Sequence, residues 1–278
     1  MAGIRITILV ENTARKPGLL AEHGMAFWVE HHRRKLLLDC GQGGVLQGNA
    51  FKLGIALNEL DALVLSHGHY DHTGGAAEVL KGMLPVPVYI HPLALARKFA
   101  GYEDGHAQEI GIPYPARQAI FRFPERLIAT EKPTEIFPGV MVTGSVPREV
   151  EFEDTGGRFF LDEACSQPDL LLDDQALFIT TSSGTVVLLG CAHAGVINTL
   201  RYVRFLTGSQ PIAAVIGGMH LVRASPERIA RTVEELRRLE VACVAPAHCT
   251  GTAAVAAMHD QLPERFCECS VGTRFEFD

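Results

Sequence analysis

Three histidines and an aspartate fall within six positions: His67, His69, Asp71 and His72, in the stretch LVLSHGHYDHTGG. Residues two apart in an extended segment point to the same side, so His67 and His69 can share one ion while Asp71 and His72, past a bend, hold a second. Neutral imidazole and carboxylate suit zinc and other first-row ions. Two such ions lower the pKa of a shared water until it is hydroxide near neutral pH, which makes it a nucleophile. A histidine-rich turn can also be plain polar surface. Here the cluster follows the apolar run DALVLS and precedes Gly74-Gly75, where loops of α/β folds carry chemistry, so the pattern points to a metal site.

Each ion needs further ligands, and these must come from distant strands. His193 in VVLLGCAHAG, His220 in VIGGMHL and His248 in VAPAHCTG each stand just beyond a buried apolar run. His220 is a candidate ligand or a substrate-side acid. His91 in YIHP reads as a strand-end packing residue. GQGGVLQG at 41–48 lacks the third glycine of a dinucleotide-binding loop, because Leu46 occupies that place, and reads as a strand-to-helix loop.

The elements that must position these residues alternate between two periods. IRITILV (4–10), MAFWVE (25–30) and KLLLDC (35–40) read as strands, with HHRRK (31–35) as a hairpin turn. Helical spacing over 51–60 precedes the strand DALVLS. A helix opened by Thr73 is expected through TGGAAEVLKGM, then a strand in PVPVYIHP. AIFRF, TEIF and GVMVTGSV are expected as short strands within an insertion or cap over 93–160. QALFITTSSGTVVLLG reads as a hairpin turning at SSG. Beyond it come a helix at 195–207, the strand PIAAVIGGMH, a helix opened by Ser225-Pro226-Glu227 and running to Leu239, the strand VACVAPAH and the helix TGTAAVAAMHDQL. Cys267 and Cys269 are expected to flank a strand. Together these predict one α/β domain over residues 1–278 with an elaborated middle.

Composition narrows the function classes. The 278 residues can bury a substantial core, and the formal charge of −7 with no long Lys/Arg run argues against a nucleic-acid partner. No apolar run approaches the roughly 20 residues of a membrane helix. The N-terminus reads as a first strand rather than an export signal. Seven cysteines without a CxxC pair suit free thiols in a reducing compartment, hence a cytoplasmic location.

LVLSHGHYDHTGG also resembles the signature of the metallo-β-lactamase-fold hydrolases, which implies an αββα sandwich with the metals at one edge. VENTARKPGLLAEHGMAFWVEHHRRKLLLDCGQGG, SHGHYDHTGG, MVTGSVPR, LLGCAHAGVINT, VIGGMHL and PAHCTG look, in that order, like the branch named for dihydropterin-ribofuranosyl-aminobenzene phosphate synthase, and they span most of the chain. The resemblance implies a dinuclear centre, with zinc the first expectation and manganese or iron the alternatives. It implies action on a small anionic molecule, a phosphoester or a pterin-bearing compound. It assigns His193 to the ion held by His67 and His69, and His248 to the ion held by Asp71 and His72. Asp39 in LLLDCG would orient a ligand histidine from behind. Arg148 in TGSVPR would meet a phosphate, and His23, Asn12 and Thr250 would line the pocket. The chain departs from the superfamily at Gly190-Cys191, where many members have a Gly-Asp pair whose aspartate bridges the metals. Either Cys191 replaces that bridge as a thiolate, or His193 does, or water alone bridges.

The mechanism expected is attack by metal-activated hydroxide on phosphorus or carbonyl carbon, with a nearby histidine such as His220 protonating the leaving group and Asp71 within the catalytic centre. Three other readings compete. Di-iron redox sites on a related scaffold want an extra acid, as in H-x-E-x-D, whereas this motif reads His67-Gly68-His69-Tyr70-Asp71. A metal or nucleotide sensor without turnover would keep the same cluster. Nucleic-acid cleavage as in ribonuclease Z relatives would want a basic face.

Overall fold

Short apolar runs with a two-residue period build this fold, and their alternation decides which face of each sheet is covered by what. The structure, a computed structural model, describes residues 3–81 and 85–278. In chain order the first half contains strands β1 (Ile4–Val10), β2 (Ala26–His31) and β3 (Arg34–Leu38), helix α1 (Leu46–Lys52), strand β4 (Ala62–Val64), helices α2 (Tyr70–Thr73) and α3 (Ala76–Val79), and strand β5 (Val88–Ile90). The middle holds β6 (Phe99–Gly101), β7 (Ala107–Glu109), α4 (Tyr114–Ile120), β8 (Leu127–Ala129), β9 (Thr134–Phe137), β10 (Val140–Val142) and β11 (Phe159–Phe160). The last part runs β12 (Leu177–Thr181), β13 (Gly184–Leu189), α5 (Val196–Leu206), β14 (Ile212–Gly218), α6 (Pro226–Arg238), β15 (Cys243–Ala247), α7 (Thr252–Gln261) and β16 (Arg274–Phe277).

Two large sheets result, in the orders β16-β1-β2-β3-β4-β5-β8 and β15-β14-β13-β12-β10-β9. Their inner faces meet: Ile6, Ile8, Phe27, Leu36, Leu38 and Val64 of the first pack with Val142, Leu177, Ile179, Leu188 and Ile216 of the second. Alternate residues point outward. Leu37, Leu63 and Trp28 are covered by α1, α3 and α4 through Leu46, Ala50, Ala76, Val79, Ala116 and Ile120. On the other side Phe178, Val187, Val215 and Val244 are covered by α5, α6 and α7 through Ile197, Leu200, Val233, Leu236 and Met258. The architecture is therefore helix, sheet, sheet, helix: an αββα sandwich. Among the described residues no helix is long and apolar enough to cross a membrane.

Parallel pairing gathers the strand ends that matter. β3, β4, β5 and β8 pair in parallel, as do β13, β14 and β15, so their carboxyl ends open at one edge of the sandwich. β6, β7 and β11 form a separate three-stranded sheet over that edge. The expected 93–160 cap is thus not one continuous insertion. Residues 127–129 join the first large sheet and residues 134–142 the second, and only 99–109 and 159–160 supply the small sheet.

Other local expectations also shift. The helix expected over 51–60 lies at Leu46–Lys52, ending where Gly54 takes φ +72°, and Leu57–Glu59 makes a single tight turn. Thr73 closes a helical turn rather than opening one: α2 starts at Tyr70, inside the metal motif, and Thr73 Oγ1 donates to His69 O at 2.8 Å. Of that expected helix, Gly82 and Met83 lie outside the described residues. AIFRF, expected as a strand, begins inside α4, where Ala116 and Ile120 sit four apart and are both buried. No named strand lies between Cys267 and Cys269. The final strand, β16, pairs with β1 instead, its Arg-Phe-Glu-Phe alternation being short and at a sheet edge.

Gly75 is required where α3 meets the first sheet, because a Cβ there would lie 2.1 Å from Cys40 O. Gly48, within α1, has nothing within 4 Å. The two glycines predict opposite outcomes in urea unfolding: Gly75→Ala destabilises by about 1–3 kcal/mol through overpacking, and Gly48→Ala stabilises by about 0.5–1 kcal/mol through helix propensity. Equal shifts of the two midpoints would contradict this packing.

Candidate metal centre

Several strands stop at the open edge with a residue forced into the left-handed region. Asp39 follows β3 with φ +59°, Ala192 follows β13 with φ +53°, His220 follows β14 with φ +45° and His248 follows β15 with φ +50°. Such conformations cost about 1–3 kcal/mol each for non-glycine residues. They end the pairing abruptly and turn the next side chains across the edge instead of along the sheet.

Hydrogen bonds behind the imidazoles fix which nitrogen faces inward. Ser66 Oγ donates to Asp39 Oδ2 at 2.7 Å, so its contact of 2.9 Å with His67 Nδ1 must be accepted from that nitrogen. His72 Nδ1 donates to Asp39 Oδ2 at 2.7 Å, His193 Nδ1 to Thr155 O at 2.9 Å, and His248 Nδ1 to Asn12 Oδ1 at 2.8 Å. Each of these four rings consequently presents a bare Nε2 lone pair to the centre. The support is dense at Asp39, which is fully buried and also accepts Ser66 N at 2.7 Å. It needs Gly190, since a Cβ there would lie 2.1 Å from Ser66 Oγ.

The inward atoms form two groups. His67, His69 and His193 make the first, with His67 Nε2 and His69 Nδ1 only 3.0 Å apart. His193 Nε2 is buried without a hydrogen-bond partner. In the second, Asp71 Oδ2, His72 Nε2 and His248 Nε2 are separated by 3.2, 3.3 and 3.7 Å. Ligands about 2.0–2.2 Å from a tetrahedral ion stand roughly 3.3–3.5 Å from one another. Bare lone pairs at that spacing repel, and a cation between them removes the repulsion, so the donor sets fit divalent first-row ions. Cys191 Sγ adds a further donor 3.1 Å from His72 Nε2.

Burial pushes His67, His69 and His193 well below the ordinary histidine pKa, which keeps them in the neutral, ligating form. At His72 burial acts in the same sense, but the carboxylates of Asp71 and Asp39 outweigh it and raise the pKa. Burial alone would raise Asp71, yet His72, His23 and His248 hold it well below the carboxylate range, so it is an anion.

A buried ion-pair network sets the backbone of the motif. Lys98 Nζ, 1% exposed, reaches Asp169 Oδ2 at 2.7 Å and Asp173 Oδ1 at 2.8 Å. Asp173 Oδ2 in turn accepts Gly68 N at 2.9 Å, between His67 and His69. Gly68 must be glycine, because a Cβ would lie 2.2 Å from Ala94 O. On the opposite side, buried Glu11 accepts His248 N at 2.8 Å, and Asp174, pushed up to about 6 by burial, accepts Ala194 N at 2.9 Å. Gly24 in the segment Glu22-His23-Gly24 permits close approach to Asp71 O, 2.3 Å from where its Cβ would be.

The centre opens into a cavity of about 420 Å³ lined by His23, Asp71, Cys191, His220 and His248 together with Tyr102, Arg158, Phe159 and Arg223. His220 is half-buried, its ring centroid 4.2 Å from that of His193. His23 Nε2 lies 3.1 Å from Asp71 Oδ2. Three expected pocket residues are otherwise engaged. Arg148 turns away and donates to the carbonyls of Leu170 and Leu171. Thr250 is buried, accepting Met219 N and donating to Ala247 O. Asn12 borders the cavity, but its oxygen is committed to His248 and Gly24 N. Sequence reasoning missed Arg158, Arg223, Glu11, Cys249 and the Lys98 network. Only Cys249 carried a local signal, its place beside His248. GQGG is not an anion loop either, since the Glu22 carboxylate already accepts the amides of Gln42, Gly43 and Gly44.

Known proteins resemble this chain in sequence and in fold. The chain is 27% identical over 267 residues to the 7,8-dihydropterin-6-methyl-4-(beta-D-ribofuranosyl)-aminobenzene-5'-phosphate synthase of Methanocaldococcus jannaschii, an alignment covering 92% of this chain and 90% of that one. An uncharacterized protein of the same organism is 32% identical over 88% of this chain and 90% of its own. A crystal structure of a metal-dependent hydrolase of the beta-lactamase superfamily superposes with TM-score 0.83 and 28% identity, covering 99% of this chain and all of that one. The sequence profile of the metallo-beta-lactamase superfamily matches residues 20–248, and the chain belongs to that superfamily.

Proposed function

We propose that the protein is a hydrolase of small anionic esters, phosphoesters first, that works with two divalent ions per chain, zinc ahead of manganese or iron. The observation that carries this reading is the pair of adjacent donor groups, His67, His69 and His193 beside Asp71, His72 and His248, which reach one cavity through His69, Asp71 and His248. Divalent ions bound there supply a water ionised near neutral pH and Lewis-acid polarisation of the scissile group. The chain's own residues do the rest.

Arg158 and Arg223 border the cavity as exposed guanidiniums, and among the described residues neither is paired with a carboxylate. Guanidinium forks bind phosphate oxygens bidentately, so these arginines take the anionic part of the substrate that Arg148 cannot reach. Tyr102 and Phe159 offer flat apolar walls to an aromatic portion. The named M. jannaschii relative makes a compound that joins a pterin to a ribosyl phosphate, and a substrate of that type suits this lining. His220, half-buried with one ring nitrogen lacking a partner, stands on the cavity wall where it can protonate a leaving group.

Two experiments test the proposal. The protein purified without chelator contains two first-row metal equivalents per chain, and His69→Ala lowers both that content and ester turnover, the latter at least about 100-fold. Unchanged turnover in metal-free protein would sink the reading. Arg158→Ala and Arg223→Ala each raise KM for an anionic phosphodiester about 10-fold or more, the loss of one charge-assisted contact, and leave a neutral ester with the same leaving group nearly unaffected. Equal losses on both esters would remove the arginines from substrate recognition.

A further inference from the structure

Sulfur occupies the place between the two donor groups. Cys191 is 2% exposed and lies 3.1 Å from His72 Nε2. Its Sγ is within 4.8 Å of donor atoms on His67 and His193 on one side and on His72 and His248 on the other. Among the described residues no other side chain is grouped with all four, and no carboxylate besides Asp71 belongs to any of these groups.

Charge makes this position consequential. Five neutral imidazoles and one carboxylate give two dications a single anionic side chain, so apart from a metal-generated hydroxide the protein leaves most of their charge unbalanced in a buried setting, where that is costly. A thiol that coordinates a metal is deprotonated outright, which supplies the second anion. The fold also provides for a second sulfur. Cys249 Sγ is 3.4 Å from Cys191 Sγ, placed to donate its S–H. Cys191 follows β13 and Cys249 follows β15, and the two meet over the end of β14 because Gly218 has no side chain. A Cβ at Gly218 would lie 2.7 Å from Cys249 Sγ and 3.3 Å from Cys191 Cα.

We propose that Cys191 bridges the two ions as a thiolate, its proton leaving to solvent, and that Cys249 stays protonated and hydrogen-bonds the bridging sulfur. The inference rests on the reading of the two groups as metal sites. A soft bridging ligand biases the centre toward zinc, cobalt or iron(II) over manganese and magnesium.

X-ray absorption at the zinc edge of the zinc-loaded full chain tests it. The expected spectrum contains a sulfur shell at about 2.3 Å beside nitrogen and oxygen at about 2.0–2.1 Å. That shell is lost in Cys191→Ser and Cys191→Asp and kept in Cys249→Ser. Wild-type protein that binds two zinc ions through nitrogen and oxygen alone overturns the thiolate bridge and leaves the hydrolase reading standing. A sulfur shell that survives in Cys191→Ser, or disappears in Cys249→Ser, also overturns it. Failure of wild-type protein to bind zinc at all overturns both readings. If neither Cys191 variant folds, the wild-type and Cys249→Ser spectra still decide whether sulfur binds and whether Cys249 provides it.

Discussion

Four imidazoles whose Nδ1 hydrogens are tied down from behind must crowd their Nε2 lone pairs together. Each tie is an ordinary hydrogen bond: to Ser66 for His67, Asp39 for His72, Thr155 for His193 and Asn12 for His248. Their sum is a cluster of converging donor atoms of the kind that a bound cation stabilises. A buried polar atom without a partner costs about 1–3 kcal/mol, whereas structural zinc contributes about 10–16 kcal/mol of apparent binding free energy in small zinc proteins. The sizes differ enough that a bound cation readily offsets the crowding.

The remainder of the structure serves that crowding. The sandwich brings carboxyl ends of parallel strands from both sheets to one edge, so residues as far apart in sequence as His72 and His248 come within 3.2 Å. Left-handed residues at Asp39, Ala192, His220 and His248 turn the chain across that edge. Glycines at 68, 75, 190 and 218 let backbone and sulfur approach where a Cβ could not fit. The buried Lys98 ammonium stays charged because Asp173 and Asp169 outweigh the effect of burial. Breaking such a pair by removing one partner typically costs about 3–5 kcal/mol, so the network holds Gly68 firmly.

Much of this was legible in the sequence, for reasons that differ by residue. His67, His69, Asp71 and His72 announce themselves because their spacing is local. The large sheets and the helices after residue 190 follow from apolar periodicity, since strands two residues in period and helices near four cannot be exchanged for one another. His193 and His248 needed the resemblance, because one histidine after a strand looks like any other. Arg148 and Arg158 are both arginines near proline- or glycine-rich turns, and only the path of the chain decides that Arg158 faces the cavity while Arg148 bonds to carbonyls. Lys98 and Asp173 are 75 positions apart in sequence, with no pattern to join them. The helical turn inside the motif was hidden by its shortness: α2 is four residues long, and Gly74-Gly75 separates it from α3.

The central claim is that the crowded lone pairs are two metal sites, and crystals grown from protein purified without chelator test it most directly through anomalous scattering at the absorption edge of the bound metal. Two peaks per chain are expected, one among His67, His69 and His193 and one among Asp71, His72 and His248, with imidazole spacings close to those described. A single peak elsewhere, or rings that have rotated apart with water between them and no anomalous signal, would contradict it.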